Sequence, residues 1–445
     1  MSSALSHPTG SSKDPSYINF LLTLNDIPLQ VRSFKVTGGS FGSVGRLEAV
    51  TTRAYLQAAR IDLYNLTIGS GRNASVALIG QAASGPQIHL FGGEFLSYTV
   101  DYDSDCVTMT CRDWAGVLVD QRRVLVPVAQ TITGLLAPLE QLSSTGVEIQ
   151  NQTIEEVVSS IATTFGFTPV FNLAGPTPKV GTVYGSSDSV FMQAPMTLWS
   201  VLNRLALLTG YEVYVTPNKK LVFGIPGAGL PSLTFGYKLP ASTYTSNRAQ
   251  IGSTTEPVNE SMQLVPHGVL PCKHLQVTLN PRRNSAFRVV VISYDAAKAA
   301  TVTGYAAVVP PGFPGIAAGI YVGSQALSIS AEMQAAVEKY QVGPALYTFH
   351  VDGLTQSQAN DRAKSIGNDI AKRASQIALT VDGIPSLRQT QSFTAKGDID
   401  QPFLGMSWNV SAFQHSFKMG HNMHDHDGGF FTHIKGWNVQ LESYT

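Results

Sequence analysis

The chain has 445 residues, 43% of them hydrophobic, enough for two to four domains with buried cores. Asp, Glu, Lys and Arg make up only 13%, about half the usual share, and 30 basic side chains cancel 30 acidic ones. That balance excludes a broad electrostatic grip on nucleic acid, while 40 Gly and 24 Pro point to many strands and turns.

Met1 to Pro15 is polar and Ser-rich with no apolar core, so it reads as a flexible tail and not a signal peptide. No run of about 18 apolar residues follows, so no membrane span is expected. Residues 16–130 read as a first β-barrel. Tyr17–Leu24 runs into Asn25-Asp26, a turn signal. Glu94–Tyr102 and Cys106–Cys111 flank Asp103-Ser104-Asp105, which predicts a hairpin with a solvated acidic turn. The three cysteines, Cys106, Cys111 and Cys272, are too few and too odd for a disulfide framework. Cys106 and Cys111 are predicted on opposite faces of one strand.

Residues 131–235 change character and read as an α/β insert. Thr153-Ile154-Glu155-Glu156 is a capping box. Ile154, Val157, Val158, Ile161, Ala162 and Phe165 follow on one helical face, and Gly166 stops the helix. A second helix over 197–209 stops at Gly210. Both then continue as aromatic and strand, through Phe167 and Tyr211, a pattern shared by any helix-to-strand turn, which is the preferred reading, and by a degenerate repeat of one unit. The second strand turns at Pro217–Lys220 and returns as Leu221-Val222-Phe223.

Residues 236–265 read as a connecting segment, and 266–445 as a second β-barrel. In that barrel His274–Leu279 is expected to pair with Phe287–Tyr294 across an Asn280–Ser285 turn. Residues 304–345 form an insertion. Its uncharged part, 304–323, carries Pro310, Pro311 and Pro314 and reads as a buried strand pair with a Pro-rich turn. The other reading is an apolar arm for a partner. A capping box at Thr355–Gln358 opens a long helix over 355–378, roughly 36 Å at 1.5 Å per residue. Its narrow Ala-rich stripe suits a barrel wall.

The order of these elements resembles the hub proteins of contractile phage tails, a family also similar to the base of type VI secretion spikes. Four segments carry the resemblance. They are Cys111–Leu118 after its hairpin, the two helix–Gly–aromatic–strand units, and Val289–Asp295 with Lys298 and Thr301–Thr303. The fourth is Gly353–Pro385 continuing to Trp408–Val410, His415 and Phe431–Ile434. The resemblance implies a mainly β fold with an α/β insert, with two tube-like antiparallel β-barrels per chain. It implies a homotrimer whose six barrels adapt a six-fold tail tube to a three-fold central spike, leaving a channel for DNA as passing cargo. The implied partners are the tail tube protein, the spike protein and other baseplate proteins. The implied place is the tail baseplate of a virion, assembled in the host cytoplasm. Because the chain ends at Thr445 with no appended spike domain, the spike is expected as a separate chain.

Chemistry is sparse. No GxSxG, Walker A loop or GxGxxG after a strand is present, so no catalytic or cofactor-binding residue is assigned and no enzyme is expected. Five of the ten histidines lie near the C-terminus, and His421, His424 and His426 alternate with Asp425 and Asp427. Imidazole and carboxylate suit Zn²⁺ or Ni²⁺, but the spacing fits no closed motif. A polar hairpin tip turning at Gly428-Gly429 is the preferred reading, with no metal and no cofactor. A spike base of a secretion or injection machine is the first alternative. The second is a tail-associated hydrolase or glycan-binding β-protein.

Overall fold

A computed structural model describes residues 18–444 except 39–42, 68–73, 83–86, 121, 124, 127–146, 149–151, 174–195, 228–229, 231, 241–242, 244–249, 253–262, 266–267, 280–285, 296–297, 311–314, 341–344, 351–353, 373–374, 398–406, 420–428 and 439–442. Among them no helix is long and apolar enough to cross a membrane.

The first β unit contains β1 (Ile18–Leu24), β2 (Ile27–Leu29), β3 (Ser33–Gly38), β4 (Arg46–Thr52), β5 (Ser75–Ala82), β6 (Gln87–Asp101) and β7 (Cys106–Asp113). Helices α1 (Arg53–Ala58) and α2 (Leu63–Leu66) lie between β4 and β5. Asn25 and Asp26 join β1 to β2 with positive φ at both positions, 47° and 64°, the backbone a two-residue hairpin requires. β6 and β7 form the expected hairpin. Leu22, Leu47, Leu78, Met109 and Cys111 alternate inward from these strands and are buried.

The insert contains α3 (Ala115–Asp120), β8 (Arg122–Arg123), β9 (Leu125–Val126), β10 (Val147–Glu148), α4 (Ile154–Thr164), β11 (Thr168–Asn172), β12 (Met196–Thr197), α5 (Leu198–Thr209), β13 (Glu212–Val215) and β14 (Lys220–Gly224). The two helix–Gly–aromatic–strand units have matching helix caps and stops. Thr153 and Thr197 cap the two helices through their side chains. Gly166 and Gly210 follow with φ of 74° and 72°. The amides of Phe167 and Tyr211 each bond back five residues, to Ala162 and Ala206, at 2.9 Å. Both helices bury their apolar faces in one core with Leu118 and Phe223.

The second β unit is a closed barrel of β15 (Leu233–Tyr237), β18 (Val269–Leu279), β23 (Ser375–Asp382), β24 (Ser392–Gly397), β25 (Ser407–Lys418) and β26 (Gly429–Asn438). The small hairpin of β16 (Gln250–Gly252) and β17 (Gln263–Val265) lies between β15 and β18. The barrel is filled, because Phe235, Phe393, Trp408, Ile377, Leu379 and Ile434 occupy its interior. One strand departs from the antiparallel expectation: β15, arriving from the insert, runs parallel to both β18 and β24.

Two expectations for this region are corrected. Phe287–Tyr294 does not return onto His274–Leu279. It lies in β19 (Phe287–Asp295), which starts a separate five-stranded sheet with β20 (Ala300–Val309), β21 (Gly319–Val322), β22 (Ala345–His350) and β27 (Ser443–Tyr444). β18 takes β23 instead, whose alternating inward residues Ile377, Leu379 and Val381 complete the barrel core. The long helix also stops early. Two helices, α6 (Ser324–Tyr340) and α7 (Gln356–Lys372), serve this sheet, and α7 packs its Ala359 and Ala363 against Val289, Val291 and Val308 rather than on a barrel wall. From Ser375 the pattern switches from a period of 3.6 to a period of two, which makes a strand of the remainder. The apolar segment 304–323 supplies the buried antiparallel pair β20–β21.

The two β units share one strand order, although the first strand runs antiparallel to its position-four neighbour in the first unit and parallel to it in the second. Numbered one to six along the chain, the barrel strands run around the wall as one, four, five, six, three, two. In the first unit β1, β3, β4, β5, β6 and β7 follow the same order. The four ladders joining positions four, five, six, three and two are antiparallel in both units. The barrel closes because β15 pairs with β18 as well as β24. In the first unit β1 pairs with β2 and β5, and β3 turns its other edge to β25.

Candidate functional site: the junction between the two β units

β25 belongs to both units. Its first residues, Ser407–Asn409, pair with β24 of the barrel. After an irregularity at Ser411 its second half, Phe413–Lys418, pairs antiparallel with β3 of the first unit. A bulge bends a strand and raises its twist, which lets one strand leave its own barrel wall and enter the next. Where the first unit would otherwise gape, aromatic rings fill it. Phe20 sits 4.9 Å from each of Phe34, Phe417 and Phe430. Two of these rings come from the first unit and two from the β25–β26 hairpin, so the hairpin completes the first core.

His415 stands one strand pleat from this cluster. It is buried, makes tilted ring contacts with Phe413 and Phe430, and shares a 3.0 Å hydrogen bond with the Thr432 hydroxyl. That hydroxyl also accepts from the Ile384 amide at 2.9 Å. Burial, with Arg388 adding its charge, drives the imidazole pKa down to about 3, so His415 is a neutral packing residue at ordinary pH.

The segment Arg112-Asp113-Trp114 ties the first unit to the insert. Arg112 bonds Glu94 at 3.1 Å and also grips Asp120. The Asp113 carboxylate accepts from the amides of Gly45 at 2.7 Å and Ala115 at 3.0 Å. Its pKa is nonetheless pushed up to about 7 by burial, which outweighs those donors and the Arg112 charge. The Trp114 indole donates to the Pro217 carbonyl at 2.8 Å, and Lys219 lies 4.1 Å above its ring. Gly92 is required here because a Cβ would strike the Pro217 backbone. The cleft between the three parts, lined by Gly38, Gly92, Asp113, Trp199, Pro217 and Phe413, has about 60 Å³ of solvent space. That admits a few waters and falls well short of the roughly 300 Å³ of a small-ligand pocket.

His421, His424 and His426 lie outside the described residues. Among the described residues no group of three or more His, Cys, Asp or Glu is arranged to hold a metal. His433, also part of the C-terminal set, instead bonds Thr380 at 2.9 Å. Cys106, Cys111 and Cys272 are free thiols, and burial pushes Cys111 up to about 12 and Cys272 up to about 11. Asp101 closes the hairpin turn by accepting from Asp103 and Ser104, and Asp105 pairs with Arg53, so these carboxylates hold a turn. Sequence reasoning named none of the junction contacts, because each depends on strands distant in the chain. Of the junction residues, Arg112-Asp113-Trp114 and His415 fall in segments that carry the resemblance, without their contacts being readable there.

No family model matches the chain, and no curated protein matches it. Solved structures do. A tail protein from Neisseria meningitidis MC58 superposes with a TM-score of 0.57 at 10% identity, covering 94% of this chain and 96% of that one. The 43 kDa tail protein of prophage MuSo2 from Shewanella oneidensis superposes with a TM-score of 0.53 at 13% identity, covering 94% and 97%. The chain has the fold of these phage tail proteins. Near-complete coverage in both directions means that the likeness includes the insert and both β units, not one barrel alone.

Proposed function

We propose that this chain is a structural baseplate hub of a contractile phage tail. Three copies form a ring that adapts the six-fold tail tube to a three-fold central spike, and DNA passes through the centre. The observation that carries this reading is the pairing of two β units of one strand order, edge to edge, within one chain. A chain with two like units meets a six-fold neighbour when three copies close a ring. Both units have filled interiors, so in this reading the channel runs between subunits and not through a barrel. The whole-chain likeness to phage tail proteins supports the same assignment. The low charge content fits surfaces covered by neighbours: other copies, the tube protein, the spike and other baseplate proteins. Ladders and packed cores do the work, and no residue is given a catalytic role.

The test is the position and copy number of the chain in purified virions. Antibody labelling is expected at the distal end of the tail, with three copies per particle by quantitative mass spectrometry. A chain found only in the soluble lysate, or present in the multiples expected of a tube protein, overturns the proposal.

A further inference from the structure

The contact inside the chain specifies a contact between chains. The β3–β25 ladder joins position two of the first unit to position five of the second. If the ring of the proposed function repeats this contact, position two of the second unit must join position five of the first unit in the next copy. Those strands are β18 and β6.

Both have a free edge of the right length in the right place. β6 pairs with β5 only through Gln87–Glu94, and with β7 on its other edge through Gly93–Asp101. Beyond Phe95, whose amide bonds Ala74, the β5-side edge has no ladder among the described residues. β18 pairs with β15 only through Val269–Pro271, and with β23 on its other edge through Cys272–Leu279. Its β15-side edge from Cys272 onward likewise has no ladder among the described residues. Leu96, Thr99 and Asp101 on β6 are exposed, as are His274, Gln276 and Thr278 on β18.

The register follows from the ladders. Each position-five strand has its irregularity against position six at one equivalent place, between Phe95 and Ser97 in β6 and between Val410 and Ala412 in β25. Ladders on either side agree: Ser75 faces Glu94 as Ser392 faces Asn409. Across the sheet, Cys111 faces Leu47 and Leu47 faces Val36, as Gly436 faces Ile377 and Ile377 faces Val277. Tyr98 therefore corresponds to Phe413, and Val277 to Val36. The intrachain pairs Phe413–Gly38, Gln414–Thr37, His415–Val36 and Ser416–Lys35 translate into Tyr98–Leu279, Thr99–Thr278, Val100–Val277 and Asp101–Gln276.

We infer that β6 of one copy pairs antiparallel with β18 of a second copy of this chain, with Thr99 opposite Thr278. This rests on the ring reading above and assigns its interface. Two further observations favour a second copy as the occupant. The acidic tip at Asp101 and Asp103 would meet the end of β18 that carries His274 and Lys273, the latter also paired with Asp382 at 2.6 Å within the chain. Tyr102, the equivalent of the buried Phe417, is 74% exposed, with the Arg53 guanidinium 4.6 Å from the centre of its ring. An open groove beside Tyr98, Val100 and Tyr102 continues this uncovered face.

Cross-strand partners about 4.5–5.5 Å apart accept a disulfide. The full chain carrying Thr99→Cys and Thr278→Cys in a Cys106→Ser background is oxidised, run without reductant, and sized in parallel by light scattering. Chain-to-chain disulfides are expected to convert most of the protein to a covalent closed species. The single variants and the off-register pair Thr99→Cys with Gln276→Cys are expected at least tenfold lower. Trimers by light scattering without this selective cross-link overturn the β6–β18 pairing and leave the hub reading standing. A monomer at every concentration, with no cross-link, overturns both.

Discussion

The two β units carry one strand order and solve closure differently. The second unit receives a strand from the insert, β15, which bridges β24 and β18 and shuts the barrel. The first unit spends its opening strand on a tight hairpin with β2 and leaves β3 to accept β25 from outside. One unit is therefore complete by itself, and the other is completed by its neighbour. A wall built this way has no independent hinge between its units, because the strand that closes one core is a stave of the other.

The largest expected effect tests that dependence. Phe417→Ala removes a ring that the second unit contributes to the first core, at a cost of about 3–5 kcal/mol. Thermal unfolding with proteolysis as a local readout should show loss of protection in β1–β7 first. Phe393→Ala, buried wholly within the barrel, should cost a similar amount and expose β23–β26 first. If both variants loosen the same region, the units are not distinguished as described.

A smaller effect is expected at Gly383, where a Cβ would run into the Phe430 ring. Gly383→Ala should destabilise by about 1–3 kcal/mol through overpacking, and the second change Phe430→Leu should recover part of it. Additive losses in the double variant would contradict the contact.

The pH dependence separates the two junctions. His415 has its pKa lowered to about 3 in the folded chain from 6.5. The unfolded chain takes up that proton first, so stability falls as pH drops from about 6.5 towards 3, by at most about 1.4 kcal/mol per pH unit. Asp113 has its pKa raised to about 7 from 3.8. The folded chain takes up that proton first, so its contribution is present below about 3.8 and lost as pH rises through about 7. In denaturant titrations from pH 4 to pH 7, His415→Gln should make stability fall more with rising pH than in the parent, and Asp113→Asn should make it fall less. Identical pH profiles for parent and both variants would contradict the burial assigned to these groups.

The smallest effect concerns the paired helices of the insert. Thr153→Ala and Thr197→Ala each remove a side-chain cap and should each cost about 1 kcal/mol. The two should be equal within error if the caps are equivalent, as measured by chemical denaturation.

Local features were legible from the sequence. The Asn25-Asp26 turn, the capping boxes at Thr153 and Thr355, and the stops at Gly166 and Gly210 depend on side chains within a few residues of the backbone they fix. The mainly β fold with its α/β insert followed from the same signals. Partners between strands were not legible. β18 and β19 both present β-rich runs around a plausible turn, and nothing local says that one enters the barrel and the other a separate sheet. α6 was hidden because its Ser-rich, Ala-rich face carries only a weak apolar stripe. The shared order of the two units was hidden because it lives in ladder registers and not in residue identity. His415 and Asp113 were on view, but their burial is set by the β26 and β4 neighbourhoods.

The central claim is that two like units per chain build one ring. The direct measurement is the mass of the purified full chain in solution together with class averages of the same sample by electron microscopy. The account predicts a mass of three chains and a ring of six lobes, alternating between two kinds, around an open centre. A compact particle of one chain, or a ring whose lobes do not alternate between two kinds, would contradict it.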